Sequence, residues 1–349
     1  MSLFKLSPIA AKQWQRFKSI KRGYYSAVIF IALLVLSLGA ELLVSNRAIL
    51  VKYEGNYYFP TYGGIIPGRS FGLDYDYETN YRDLKNQIGE NQDNWVLLPP
   101  VPYSPLENDF QSLEYPPYGP SMENSHYLGT DTTGRDVLAR LIYGFRIAIG
   151  FSLMLLFFNY IIGISLGSMM GYFGGWFDLF FQRLIEIWSN VPFLYVVMII
   201  ASIITPGFWT LALIMIVFGW MSMTWYMRTV TYQEKAKDYV MAARACGASH
   251  SRIMFRHILP NTVSLIVTFL PFSITSGITS LTALDYLGFG LPPPTPSWGE
   301  MLSQGIQNLD APWIVASVVG SMTVVLVMVT YIGEAVREAY DPRKFSTYE

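Results

Sequence analysis

Cysteine is almost missing from this chain. Cys246 is alone among 349 residues, so no part of the protein can be braced by an internal disulfide. Cys246 itself reads as an ordinary packed residue rather than a reactive one. Histidine is nearly as scarce. His250 and His257 stand seven residues apart without the H-E-x-x-H spacing of a zinc hydrolase, and His126 lies far upstream. No G-x-x-x-x-G-K-S/T stretch is present to cradle nucleotide phosphates, and no G-x-S-x-G elbow to present a serine nucleophile. Enzyme activity intrinsic to the chain is therefore not expected. Charge is thin as well. Only 14% of residues are Asp, Glu, Lys or Arg, against about 25% in soluble domains. A net charge of −1 without a basic patch excludes nucleic acid as a partner.

What fills the chain is apolar: 52% of residues are hydrophobic and 16% aromatic. Six runs are long enough to cross a hydrocarbon core about 30 Å thick at about 1.5 Å of helical rise per residue. They are Tyr24–Leu43, Arg146–Phe173, Phe180–Ile204, Phe208–Met227, Thr262–Leu284 and Trp313–Val336. An all-α integral membrane protein with six transmembrane helices follows. Pro192 and the stretch from Trp220 to Trp225 interrupt or polarise spans three and four.

Lys and Arg set the orientation. Lys5, Lys12, Arg16, Lys18, Lys21 and Arg22 precede the first span with no acidic residue among them. Lys235, Lys237, Arg244, Arg252 and Arg256 crowd the loop between spans four and five. Residues 46–134 instead carry twelve acidic and five basic residues. The positive-inside rule then places both termini and the basic loop in the cytoplasm. The expected division is 1–23 as an amphipathic N-terminus, 24–45 as the first span and 46–145 as an extracytoplasmic segment. Residues 146–336 form a five-helix core with a basic loop at 228–261 and a lid at 285–312, and 337–349 form a cytoplasmic tail. An uncleaved anchor is favoured over a signal peptide, because no small-x-small site follows the apolar run. Leu6, Ala10, Trp14 and Phe17 recur at helical spacing among Lys12, Arg16 and Lys18, as in a helix lying against membrane lipid.

The long segment after span one is rich in Tyr and Gly, and holds seven prolines between Pro99 and Pro120. It reads as a small cap built on aromatic packing, or as a docking surface whose excess acids meet a partner. In the second span, Gly163, Gly167 and Gly171 repeat every fourth residue, which lets two helix backbones approach closely. The neighbour is either another helix of this chain or a second subunit. In span five, Ser273, Ser276 and Ser280 recur on one face, with Thr268, Thr275 and Thr279 nearby. These hydroxyls either line a wet pathway able to bond peptide backbone, or bond to their own helix carbonyls or a neighbour. Arg183 and Glu186 either pair at i, i+3 or make a gating contact. Asp285 is placed to cap or pair with the lid.

Residues 241–260 read MAARACGASHSRIMFRHILP. Ala242, Ala243 and Ala245 give a short helix, Tyr239–Cys246, a small-residue face that another protein can approach. Gly247 lets the backbone leave that helix with positive φ, and Pro260 suits the first turn of the next. Ile253, Met254, Ile258 and Leu259 are apolar ties to the bundle. This spacing resembles the EAA loop of ABC-importer permeases. Two further stretches resemble the oligopeptide and dipeptide permeases of that family: HYLGTDTTGRDVLARLIYGFR from His126 to Arg146, and LGFG with PTPSWGEML between Leu287 and Gly305. The Tyr-rich insertion is similar to that of the subgroup linked to microcin C and oligopeptide uptake. Two departures stand out: Met241 replaces the glutamate that names the loop, and His257 stands where many relatives have isoleucine.

The resemblance implies a type I importer permease fold in a bacterial inner membrane. It implies a second permease subunit, expected to be a different chain, with two cytoplasmic ATPase subunits and an extracytoplasmic peptide-binding protein. Met241, Ala242, Ala243, Ala245, Gly247, Ile258, Leu259 and Pro260 would couple the chain to the ATPase. No cofactor is expected on the chain itself, since ATP and Mg would be used by the partner. The alternative, a secondary transporter driven by an ion gradient, would show paired ionisable residues near the midplane and inverted repeats with broken helices. Neither is visible.

Overall fold

The computed structural model of the protein describes residues 8–89, 93–110 and 115–340. Two helices open the chain. Amphipathic α1 (Pro8–Ser19) lays Phe17 against Ala335 and Ala339 near the far end of the chain, and Lys18 sits 5.3 Å above the Trp14 ring. Leu6 and Lys5 lie outside the described residues, as does the tail beyond residue 340. Spanning helix α2 (Lys21–Leu38) ends at Gly39 and is followed by the single turn α3 (Ala40–Leu43). The first span is thus shifted a few residues upstream of Tyr24–Leu43.

The segment after it contains a small sheet that composition did not announce. Strands β1 (Leu50–Tyr53) and β2 (Asn56–Tyr58) form a hairpin with Val51 opposite Tyr58. The two-residue turn has positive φ at both Glu54 (48°) and Gly55 (81°), the conformation that matches strand twist. The single turn α4 (Pro60–Gly63) follows, then α5 (Tyr81–Ile88), whose first turn is capped by the Asn80 side chain accepting from the Arg82 and Asp83 amides. Strand β3 (Trp95–Leu97) completes an antiparallel sheet of order β2-β1-β3. Its core is aromatic: Phe71 meets Tyr53, Tyr58 and Tyr81 edge-on, over Val51 and Leu84.

Helix α6 (Val137–Phe173) has 37 residues, nine more at its start than the apolar run from Arg146. Asp136 makes this possible by accepting the Ala139 amide at 2.7 Å. The expected third span is not one helix. It breaks into α7 (Gly175–Ser189) and α8 (Phe193–Ile203), bent by 67° just before Pro192 feeds the second piece. Helix α9 (Phe208–Lys235) runs eight residues past Met227, and α10 (Asp238–Ala245) follows almost at once. Then α11 (His250–Arg252), a π-helical stretch Ile253–Ile258 and α12 (Leu259–Tyr286) run on as one 37-residue helix. Pro260, without an amide proton, cannot bond back to the preceding turn, and the π stretch absorbs that mismatch. The lid contains α13 (Trp298–Gln307), capped by Ser297, and α14 (Pro312–Tyr340) closes the described chain.

Five of these helices are long and apolar enough to cross a membrane, six if the bent pair α7–α8 counts as one. The shared core gathers Phe145, Phe151, Leu211, Ile278, Met301 and Ile314. Helix α6 fixes the two ends of the bundle. Its first turns meet the lid, where Trp298 donates to the Leu141 carbonyl at 3.0 Å, and its last turn meets the bend between α9 and α12.

Candidate functional site

The bend folds around few buried side chains. Val240, Ile253 and Ile258 pack with Tyr172 at the end of α6, all at 2% exposure or less, with Met254 beside them. Glu234, in the last turn of α9, accepts from Lys237 Nζ at 2.5 Å and from the Tyr239 hydroxyl at 2.6 Å. Partial burial and that carboxylate push the Tyr239 hydroxyl up to about 12. The start of α10 is thereby held to the end of α9.

The other end of α10 closes by backbone geometry alone. The Ala248 amide donates to the Ala243 carbonyl at 3.1 Å and the Gly247 amide to the Arg244 carbonyl at 3.0 Å, with Gly247 at φ +79°. This is the Schellman pattern, in which a left-handed residue satisfies the last carbonyls of a helix. Met241, Ala242, Ala245 and Gly247 are left exposed, and Ala243 is half-buried. Ile258 is buried, Leu259 half-buried and Pro260 exposed. Cys246 is exposed rather than packed, because the helix end turns that side away from the bundle.

A second feature lies between α6, α9 and α12. Ser273, Ser276 and Ser280 line one cavity of about 260 Å³ together with Asn159, Tyr160, Ser222 and Tyr226. The Ser273 and Tyr160 hydroxyls are 2.9 Å apart. The Asn159 side-chain oxygen is buried with no partner. The threonines of α12 behave differently: Thr268, Thr275 and Thr279 each bond the carbonyl four residues back, at 2.7 to 3.1 Å. Sequence periodicity found the serines but not Asn159, Ser222 and Tyr226, which sit on helices dominated by apolar neighbours.

The glycine repeat meets a helix of the same chain. A Cβ on Gly163 would fall 2.7 Å from the Met223 Cβ, and one on Gly171 would fall 2.8 Å from the Thr231 Cβ. At Gly167 it would strike the Thr224 carbonyl and the Met227 Cβ. All of these belong to α9, so α6 and α9 touch along three turns. Next to this seam Arg228 of α9 makes two bonds to Asp178 of α7, at 2.5 and 2.7 Å. Arg183 and Glu186 pair on an exposed face at 2.5 Å.

Residues 163–345 match the model of the family described as binding-protein-dependent transport system inner membrane component, which is over half of the chain. The chain belongs to that family. It is 42% identical over 342 residues to the inner membrane ABC transporter permease protein YejE of Escherichia coli, covering 97% of this chain and 99% of that one. It is 40% identical to the peptidoglycan transport system permease protein YejE of Agrobacterium fabrum, over 97% and 94% of the two chains. It is 34% identical to the dipeptide transport system permease protein DppC of Haemophilus influenzae, over 71% and 85%. The protein is thus the permease component of a binding-protein-dependent ABC transport system and a multi-pass inner membrane protein. Its fold is that of a type I importer permease.

At the lid end of this permease the HYLGTDTTGRD stretch builds an ion network that the sequence did not reveal. Asp131 and Glu300 are bridged by Arg135, at 2.8 and 3.0 Å, and by Arg140, at 3.4 and 2.5 Å. Arg140 is fully buried and also donates to the Pro105 carbonyl at 3.2 Å. Asp285 accepts the Leu291 amide at 2.7 Å and the Ser297 hydroxyl at 2.5 Å, which ties α12 to the lid. Gly144 and Gly299 leave room for this packing, since a Cβ on Gly144 would lie 2.7 Å from the Trp298 ring. Among the described residues no cluster of His, Cys, Asp and Glu has metal-binding geometry.

Proposed function

We propose that this permease imports oligopeptides or peptide-like compounds, driven by two ATPase subunits that grip the bend between α9 and α12. The observation that carries this reading is the exposed, small-residue face of α10, standing on a buried base. Ala242 and Ala245 keep that face low around Met241, its exposed long apolar side chain, so the helix can enter a groove. The peptide class is supported by the relatives described as dipeptide and peptidoglycan transporters. The Tyr-rich segment supports the narrower form, the subgroup linked to microcin C. ATP and Mg are used in the partner ATPases, a binding protein delivers the cargo on the 46–134 side, and a second, different permease chain completes the pathway. The excess of Lys and Arg on the bend and before α2 supports cytoplasmic termini.

On ATP-driven closure of the ATPase pair, α10 would move with the ends of α9 and α12. The cavity lined by Ser273, Ser276 and Ser280 would offer neutral hydroxyl and amide groups to peptide backbone, without selecting side chains. Gly247→Asp tests the coupling. It puts a Cβ on a position at φ +79° that has open space around it, so the bend rather than the core is perturbed. Binding-protein-stimulated ATP hydrolysis and peptide uptake should both fall in the assembled complex. Unchanged coupling removes Gly247 from the mechanism. Cysteines at 273, 276 and 280, in a Cys246→Ala background, should react with a water-borne thiol reagent. Inert positions end the pathway assignment.

A further inference from the structure

One side chain touches every element of the bend. Tyr172, in the last turn of α6, is 2% exposed. Its hydroxyl lies 2.8 Å from His250 Nδ1 in α11. Its ring carries two cations, Lys235 Nζ from α9 and the Arg244 guanidinium from α10, each 5.7 Å from the centroid. Val240 of α10 and Ile253, Met254 and Ile258 of the π stretch pack around it. The cations need the π face and His250 needs the hydroxyl, so tyrosine alone among the aromatic residues meets both demands in this geometry.

We infer that Tyr172 is the positioning residue that passes displacement of the coupling helix into α6. The inference rests on the coupling function of the bend proposed above. Helix α10 is joined to the chain at its two ends by the Glu234 latch and the Gly247 turn. Neither joint reaches α6. Tyr172 does, and α6 is pressed against α9 along Gly163, Gly167 and Gly171 immediately above it. A push on α10 through Val240 and Arg244 therefore arrives on α6 and α9 together, which with α12 line the hydroxyl cavity. Without the His250 bond, the π stretch and α12 can slip relative to α6, and the push is lost locally.

The test uses the full complex with its ATPases and binding protein, reconstituted in vesicles. Tyr172→Phe keeps the ring, its cations and its packing but removes the hydroxyl. It should retain ATPase subunits at the wild-type ratio while peptide transported per ATP falls about fivefold, the factor of one hydrogen bond. His250→Asn places a carbonyl oxygen near the position of Nδ1 and should stay close to wild type. His250→Leu should match Tyr172→Phe. Lowered assembly in Tyr172→Phe and His250→Leu, with transport per assembled ATPase turnover unchanged, would mark a purely structural role and overturn the inference. Wild-type transport per ATP in both Tyr172→Phe and His250→Leu overturns the inference. Crosslinking from Ala245→Cys, in a Cys246→Ala background, to the ATPase is read separately. Its absence would overturn the coupling function itself, whatever the Tyr172 variants do.

Discussion

The two ends of the bundle handle charge in opposite ways. At the lid end, buried Asp131, Arg135 and Arg140 and half-buried Glu300 close on one another as mutual partners. At the bend end, Arg244, Arg252 and Arg256 remain exposed, around a helix that shows alanines and Gly247 outward. The first arrangement pairs its charges within the chain, and removing a member leaves charge in a dry site with fewer partners. The second has a finished base and an unfinished surface. The charge distribution thus gives the two ends different characters, a closed lid and an open bend, as the proposed coupling requires.

The lid end should break most severely. Arg140→Leu leaves Asp131 and Glu300 short of a buried cation, and a loss of about 3–5 kcal/mol is expected, read as a lowered unfolding temperature or lost expression of the purified permease. Gly167→Val, on the seam between the two ends, forces α6 away from the Thr224 carbonyl. A cost of about 1–3 kcal/mol is expected from overpacking, with α6–α9 disulfide trapping as a check on the separation.

A third prediction concerns pH at the lid end. His126, at 1% exposure, has Asp136 2.8 Å from Nδ1 and Asp109 3.1 Å from Nε2. Burial opposes its charged form, yet the hydrogen bonds and charges of Asp109 and Asp136 raise its pKa above the ordinary histidine value. The pair's stabilisation is complete below that ordinary value, about 6.5, and fades as pH rises through the raised one. The difference in unfolding temperature between wild type and His126→Asn should therefore shrink on the alkaline side, and a difference that grows with pH would contradict this. The smallest stability effect belongs to the bend. Ala245→Leu should change stability by no more than about 0.5 kcal/mol, as at other exposed sites, while binding-protein-stimulated ATP hydrolysis falls. If stability drops instead, the exposed face of α10 is part of the core.

Much of the site was legible because it depends on local pattern. Positive φ at Gly247 and the small face of Ala242, Ala243 and Ala245 are properties of one short segment, as is the serine spacing on α12. Asp285 was placed near the lid by its position at a span end, and it bonds the lid. The apolar run puts the start of α6 too late because Arg140 looks unsuited to an apolar helix. Arg140 is tolerated there through Asp131, the Pro105 carbonyl and Glu300, the last of these 160 residues onward. The sheet of β1, β2 and β3 escaped notice since strands of three or four residues leave little alternation to read. Tyr172 gave no signal, being one aromatic residue in an aromatic-rich span.

Composition and periodicity by themselves determined a polytopic helical membrane protein, the basic bend and the short alanine helix within it. These follow from hydrophobic transfer, helix length and glycine stereochemistry, which act within windows of about 20 residues. Only the tertiary structure decided that the glycine stripe faces α9 of the same chain, that the lid is locked by ion pairs, and that the bend is seated on Tyr172. Each depends on groups brought together across long stretches of chain, 165 residues between Arg135 and Glu300 and 78 between Tyr172 and His250. Complementarity at that separation is a property of the packed bundle, and no local window contains it.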